Sequence, residues 1–196
     1  MDREQALHLL RQYVKNENLI RHMLAVEAAM RDYANYYGED AEEWGLAGLL
    51  HDFDWEIHPD LTQHPQDGVP ILRQHGVPEI IVRTILSHAD HTNVPRDSRM
   101  EKALYACDEL TGLITAVALV RPSHSIGDVT VKSIRKKWKD SRFAAAINRG
   151  EIERGAQELG VDLWEHVGRV LASMQRISAD LGLQGTLAPS SPSQIS

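Results

Sequence analysis

The stretch Asp40-Ala-Glu-Glu-Trp-Gly-Leu-Ala-Gly-Leu-Leu-His51-Asp52 decides the fold class. Asp40 with Glu43 three residues later resembles a capping box, which satisfies free amides at the start of a helix. From Trp44 to Leu50 no residue is charged, so this helix is apolar nearly all the way round and is predicted to be central, enclosed by other helices. It runs into a histidine–aspartate doublet. A solitary carboxylate at the end of an apolar helix is costly to bury, so Asp52 is expected to meet something cationic.

Outward from this stretch the pattern stays helical. Ala6, Leu7, Leu10 and Val14 mark an amphipathic segment over residues 3 to 14. Asn16 is placed to cap a second helix, in which Leu19, Met23, Val26, Met30, Tyr33 and Tyr37 recur at helical spacing until Gly38 stops it. His22 lies on that apolar side. Downstream, Pro59, Pro65, Gly68 and Pro70 predict a loop and then a short helix ending near Gly76. Pro78 suits the first turn of a helix through Ile80, Ile81, Ile85 and His88. Asp97 or Ser98 is expected to cap the next one, whose stripe reads Met100, Leu104, Cys107 or Asp108, Thr111 and Thr115, with Arg121-Pro122 as its stop. Four more helical patterns follow: a basic one with Lys132, Arg135, Lys136, Lys137 and Lys139, an Ala-rich one from Phe143 to Ile147, one from Glu151 to Leu159, and a last one capped by Asp162. No convincing strand and no internal repeat is visible. The expected fold is all-α, a single helical bundle with a C-terminal helical extension over residues 1–183, and the Ser/Pro-rich tail 184–196 is expected to be disordered.

Composition narrows the function. A chain of 196 residues with 42% apolar and 25% charged residues suits one domain with its own core. The net charge of -7 disfavours a broad phosphate-backbone footprint, so no bulk nucleic acid is expected as a partner, although a local basic patch can still bind a small anion. Cys107, the one cysteine, excludes an internal disulfide framework and a Cys-rich zinc site. The N-terminus lacks a signal-peptide core and no stretch approaches the roughly 20 apolar residues of a membrane span, so a cytoplasmic location with no membrane partner is expected. Oligomeric state is not legible.

The 10 histidines carry the chemistry. His22, His51, His64 and His88 sit on or next to separate helical segments, and Asp108, like Asp52, falls on an apolar helix. Neutral imidazole and carboxylate are the ligand types that hold first-row transition metals, and converging helices bring such groups together. Any one of these histidines alone reads more readily as a satisfied core residue. The signal lies in the ordered set His22, His51-Asp52, His64, His88, Asp108.

That set resembles the HD-domain superfamily, an all-helical fold of metal-dependent phosphohydrolases, over roughly residues 17 to 120. The resemblance implies that His22, His51, Asp52 and Asp108 hold one metal. His64, in HPQDGVPIL, and His88, in ILSHAD, match the extra histidines of members that bind a second metal with the doublet aspartate, here Asp52, as the bridge. The local wording HDFDWE, ILSHAD and LYACDELTGLITA is similar to a bacterial subgroup of HD-domain hydrolases. Where many members carry Gly-Lys soon after the doublet, this chain has Phe53-Asp54-Trp55-Glu56, which removes a familiar cationic neighbour of the substrate. The implied cofactor is a divalent transition metal, two per chain, with Fe, Mn, Co, Ni and Zn all suited to these donors. Two such cations about 3.5 to 4 Å apart bridge a water, lower its pKa and neutralise a phosphate's developing charge.

The expected function is therefore hydrolysis of a phosphate ester or phosphoanhydride of a small or nucleotide-like molecule by metal-bridging hydroxide, with Asp52 as the catalytic bridging ligand. The same donors serve di-iron relatives that oxidise a small polyol or a phosphonate, and a non-catalytic metal-binding module is a third class. Secondary candidates are Asp54 and Glu56, either partners of ligand histidines or solvated loop acids, and His91, at the site mouth or simply on the surface. Arg21, Arg96, Lys132, Arg135 and Lys136 are candidate phosphate clamps, the 132–139 run reading otherwise as a solvated helix face. Cys107 is expected in the core, and the four tryptophans are too scattered for a stacking platform.

Overall fold

A computed structural model describes residues 1–185. Among them the chain forms nine α-helices: α1 (Arg3–Tyr13), α2 (Glu17–Tyr37), α3 (Ala41–Leu50), α4 (Val69–Gln74), α5 (Glu79–Ser87), α6 (Arg99–Leu119), α7 (Val131–Trp138), α8 (Arg149–Leu159) and α9 (Leu163–Arg176). The described residues contain no strand beyond an isolated antiparallel bridge between Ser125 and Gln184, so the fold is all-α. That bridge carries ordered structure to the end of the described residues, and the rest of the expected tail, 186–196, lies outside them.

Each boundary has a local cause. Asp2, Asn16, Asp40, Ser98, Thr130, Asn148 and Asp162 all stand at N-caps and accept from first-turn amides. Ser98, not Asp97, caps α6, with Glu101 closing the box. At α3 the Asp40 side chain takes the amides of both Glu42 and Glu43. Gly38 ends α2 in the left-handed conformation. Pro78 is the N-cap of α5 and lies one position outside the helix, in extended backbone, rather than in its first turn.

The Ala-rich segment 143–147 is not a helix but a series of turns. It is too short to nucleate one alone, and Ala144 has a positive φ of 47°. Arg149 instead bonds the carbonyls of Asp140 and Phe143, which a helix there would have used itself.

α3 is central as its composition predicts. Every residue from Trp44 to Leu50 is buried, against α1, α2, α5 and α6. Leu49 and Leu50 are fully enclosed, each contributing about 2 kcal/mol of apolar burial. α2 comes so close to α3 that a Cβ on Gly48 would lie 2.9 Å from the Glu27 Cα, a backbone contact only glycine permits. A second such contact docks α8 on α6, where a Cβ on Gly155 would lie 2.7 Å from the Ala106 Cα. α2, α3, α5 and α6 thereby direct their polar positions at one spot, and α8 lies alongside it.

Candidate metal centre

His22 projects from the second turn of α2, His51 caps the C-terminus of α3, His88 caps that of α5, and Asp108 sits within α6. Asp52 follows His51 directly, and His64 comes from the turn-rich segment after α3, where the His64–Pro65 peptide is cis. All six converge. His22, His51 and Asp108 form one group whose donor atoms lie within 4.8 Å of one another, and Asp52, His64 and His88 form a second. Asp52 faces both. Its Oδ2 is 3.6 Å from His22 Nε2 and 3.5 Å from His51 Nε2, while its Oδ1 is 3.2 Å from His64 Nε2 and 3.6 Å from His88 Nε2. Asp108 Oδ1 completes the first group at 3.0 Å from His22 Nε2 and 3.5 Å from His51 Nε2.

The other ring nitrogens fix the tautomers. His51 Nδ1 donates to the Gly48 carbonyl at 2.8 Å, His88 Nδ1 to the Ile85 carbonyl at 2.5 Å, and His64 Nδ1 to Asp54 Oδ1 at 2.8 Å. Carbonyls and carboxylates only accept, so all three Nδ1 atoms carry hydrogen. Thr111 Oγ1 donates to the Asp108 carbonyl at 2.9 Å and so accepts from His22 Nδ1 at 3.2 Å. Every Nε2 thus turns a lone pair inward. Those of His22 and His51 are 3.2 Å apart, and those of His64 and His88 are 3.3 Å apart. Whenever these imidazoles are neutral they have nothing to donate to each other, and a cation between them, proton or metal ion, removes the conflict. The donor set therefore fits divalent transition metals.

The electrostatics agree. Burial opposes ionisation of Asp52 and Asp108, yet the surrounding imidazoles, His51 foremost, hold both below the usual carboxylate range. Burial likewise opposes protonation of His51, His64 and His88, but the carboxylates raise all three, and Asp52 with Asp54 lifts His64 to about 9. Protons and metal ions compete for the same lone pairs, so metal uptake here releases protons.

The centre forms the floor of a cleft of about 490 Å³. Trp55, Leu61, His91, Tyr105, Glu109, Gly112 and Glu151 line the rest of it, with Ala89 and Asp90 at one side. His91 is exposed, borders the cleft and contacts the His64 carbonyl at 2.8 Å, so it sits at the mouth and on the surface at once. Asp54 is fully buried behind His64, and its second oxygen has no hydrogen-bond partner. Glu56 turns away, accepting from the amides of Lys15 and Asn16 at the entry to α2.

None of the candidate phosphate clamps lines the cleft. Arg96 is held by Glu158 at 2.7 Å and Asp90 at 2.9 Å and lies over the Tyr105 ring. Lys132, Arg135 and Lys136 edge a separate depression along α7. Sequence reasoning did not find Glu109 and Glu151. Burial, then Asp108 and Glu151, raise Glu109 to about 7. Cys107 is buried in the core as expected.

The HD domain family matches residues 19–113, and over these residues the chain is a member of the HD-domain superfamily. The chain is also similar to Ribonuclease Y of Oleidesulfovibrio alaskensis, at 28% identity over 98 residues, which cover 50% of this chain and 18% of that protein. No solved structure matches it. Among the described residues no helix is long and apolar enough to cross a membrane.

Proposed function

We propose that the chain is a metal-dependent phosphohydrolase that cleaves a small phosphate ester or phosphoanhydride in this cleft. In this reading His22, His51 and Asp108 hold one divalent transition metal ion, His64 and His88 hold a second, and Asp52 serves both. The observation that carries it is the placement of Asp52, one oxygen toward each histidine pair. When bound, two such cations supply Lewis acidity for a phosphate oxygen and acidify a water to a nucleophile near neutral pH.

The chain's own residues do the rest. Gly48, Ile85 and Asp54 keep three Nδ1 atoms protonated, and Thr111 accepts from the fourth, so each Nε2 is ready as a donor without reorganising. A polymeric nucleic acid is not the proposed substrate. Although the relative's name is Ribonuclease Y, the cleft presents no Lys or Arg to a run of phosphates and the chain carries a net charge of -7.

The test is elemental analysis of the purified protein, then phosphate release across nucleotides, cyclic nucleotides, dinucleoside polyphosphates and sugar phosphates after loading with Mn, Fe, Co, Ni or Zn. Release that requires the metal and disappears with Asp52→Ala supports the reading. Oxygen uptake by iron-loaded protein on a polyol or phosphonate, with no phosphate released, would replace it with di-iron oxygenase chemistry. Protein that retains no metal under replete conditions overturns both.

A further inference from the structure

The cleft is electrically two-sided. Its floor, once the proposed ions are in place, offers positive charge to a phosphate, but the wall opposite is acidic. Glu109 lies one residue beyond Asp108 on α6, and Glu151 lies in the first turn of α8. Asn148 ties the two together, its amide donating to Glu109 Oε2 at 3.3 Å and its Nδ2 to Glu151 Oε1 at 2.7 Å. Neither carboxylate has an ion-pair partner among the described residues, whereas Asp90, which also lines the cleft, has two. Asp90 holds both nearby arginines, Arg96 at 2.9 Å and Arg154 at 2.5 Å, and Arg154 also contacts the Tyr105 hydroxyl at the cleft edge, so both guanidinium groups are already engaged. No Lys or Arg lines the cavity at all.

A wall of this kind selects against a second phosphate and for positive charge. Clefts lined by one sign of charge between low-dielectric walls concentrate their field, so a polyanion reaching past the metal centre is repelled there. A compact cation in the same place supplies the counter-charge that Glu109 and Glu151 lack, and Trp55, which packs edge-on against His64, adds an aromatic side chain to the same lining. Resting on the metal-centre reading above, we propose that Glu109 and Glu151 determine specificity for a zwitterionic phosphate monoester, one whose alcohol part carries an amine, over nucleoside polyphosphates and neutral alkyl phosphates.

The experiment is calorimetric binding to metal-loaded full-length protein of verified metal content, which needs no turnover. The probes are phosphorylated amino alcohols of two to four carbons, each beside the alkyl phosphate of equal length, with ATP as the polyanion. At least one amino ester is expected to bind about tenfold more tightly than its alkyl partner. In Glu109→Gln/Glu151→Gln, checked by circular dichroism for retained helix, that ratio is expected to fall to about one. Equal affinities within every pair for the wild-type protein overturn the specificity proposal and leave the metal centre standing. Failure of every phosphate to bind overturns the metal-centre reading and this one with it. A third metal ion per chain that is lost in the double variant assigns the two glutamates to an ion and overturns the proposal.

Discussion

Asp54 buries its whole side chain to place one oxygen 2.8 Å from Nδ1 of His64. The arrangement fixes which nitrogen of His64 faces the centre, and it leaves the second Asp54 oxygen without a partner, a cost the fold retains. Asp54→Ala is expected to weaken binding of the second metal about 10- to 100-fold while the first, on His22, His51 and Asp108, binds as before. Asp54→Asn keeps an acceptor toward His64 and should fall between. Competitive chelator titration with metal analysis reads both constants.

His64 and His88 face only their own group, whereas Asp52 also brings Oδ2 to 3.6 Å from His22 and 3.5 Å from His51. Alanine at either position is expected to lower the metal content of replete protein from two ions toward one per chain. An unchanged content of two would return both histidines to ligand contact or packing. Mass-spectrometric elemental analysis after exhaustive dialysis gives the count.

Asp52→Ala separates chemistry from folding. Phosphate release on whichever ester the wild type cleaves is expected to fall about 1,000-fold or more, roughly 4 kcal/mol of barrier. The metal-free variant should stay helical, because losing a buried carboxylate also relieves its desolvation. Metal addition should raise its melting temperature much less than that of wild type, since bound ions stabilise only the state that holds them. Turnover near the wild-type rate would show the assignment of Asp52 to be wrong.

A pH dependence unconnected with the metal arises at His166. Its Nε2 donates to the Ala106 carbonyl at 2.8 Å and its Nδ1 accepts from the Tyr33 hydroxyl at 2.6 Å, so the neutral ring is fully satisfied. Burial lowers its pKa to about 4. An unfolded histidine titrates near 6.5, so between these values the unfolded chain takes up a proton that the folded chain refuses. Stability from this residue is complete above about pH 6.5 and is lost as pH falls through 4, by about 3 kcal/mol. His166→Gln can keep both hydrogen bonds without the titration. Urea unfolding of metal-free protein at several pH values should show a shallower loss for the variant than for wild type over that window.

How much of this was legible depended on whether a residue's role is local. His22, His51, Asp52, His88 and Asp108 could be singled out because each stands on or beside a helical face or helix end, where an unpartnered polar group demands explanation, whereas His64, in the turns after α3, was singled out through the resemblance. Asp54 was readable as an alternative only, because its burial depends on the turns that follow α3. Arg96 was a candidate clamp, and the sequence cannot disclose that it pairs with Glu158 from α8. Glu109 and Glu151 gave no signal. They become neighbours only because α8 packs on α6 at Gly155, and a glycine in a helix does not announce what it touches. The turns at 143–147 were lost for a similar reason, Arg149 having claimed their carbonyls from the next helix.

That crossing at Gly155 also joins two lengths of chain at the cleft. All six candidate donors and Glu109 fall within the matched stretch 19–113, whereas Asn148 and Glu151 arrive from chain beyond it, on or beside a helix that packs along α6 with Gly155 over Ala106. In the proposed reading the ion-holding residues and Glu109 thus lie in one length of the chain, and Glu151 in another. On that proposal, changes after residue 113 would alter the Glu151 side of the cleft while the six candidate donors stay in place, and a designer wishing to redirect this protein would graft there first.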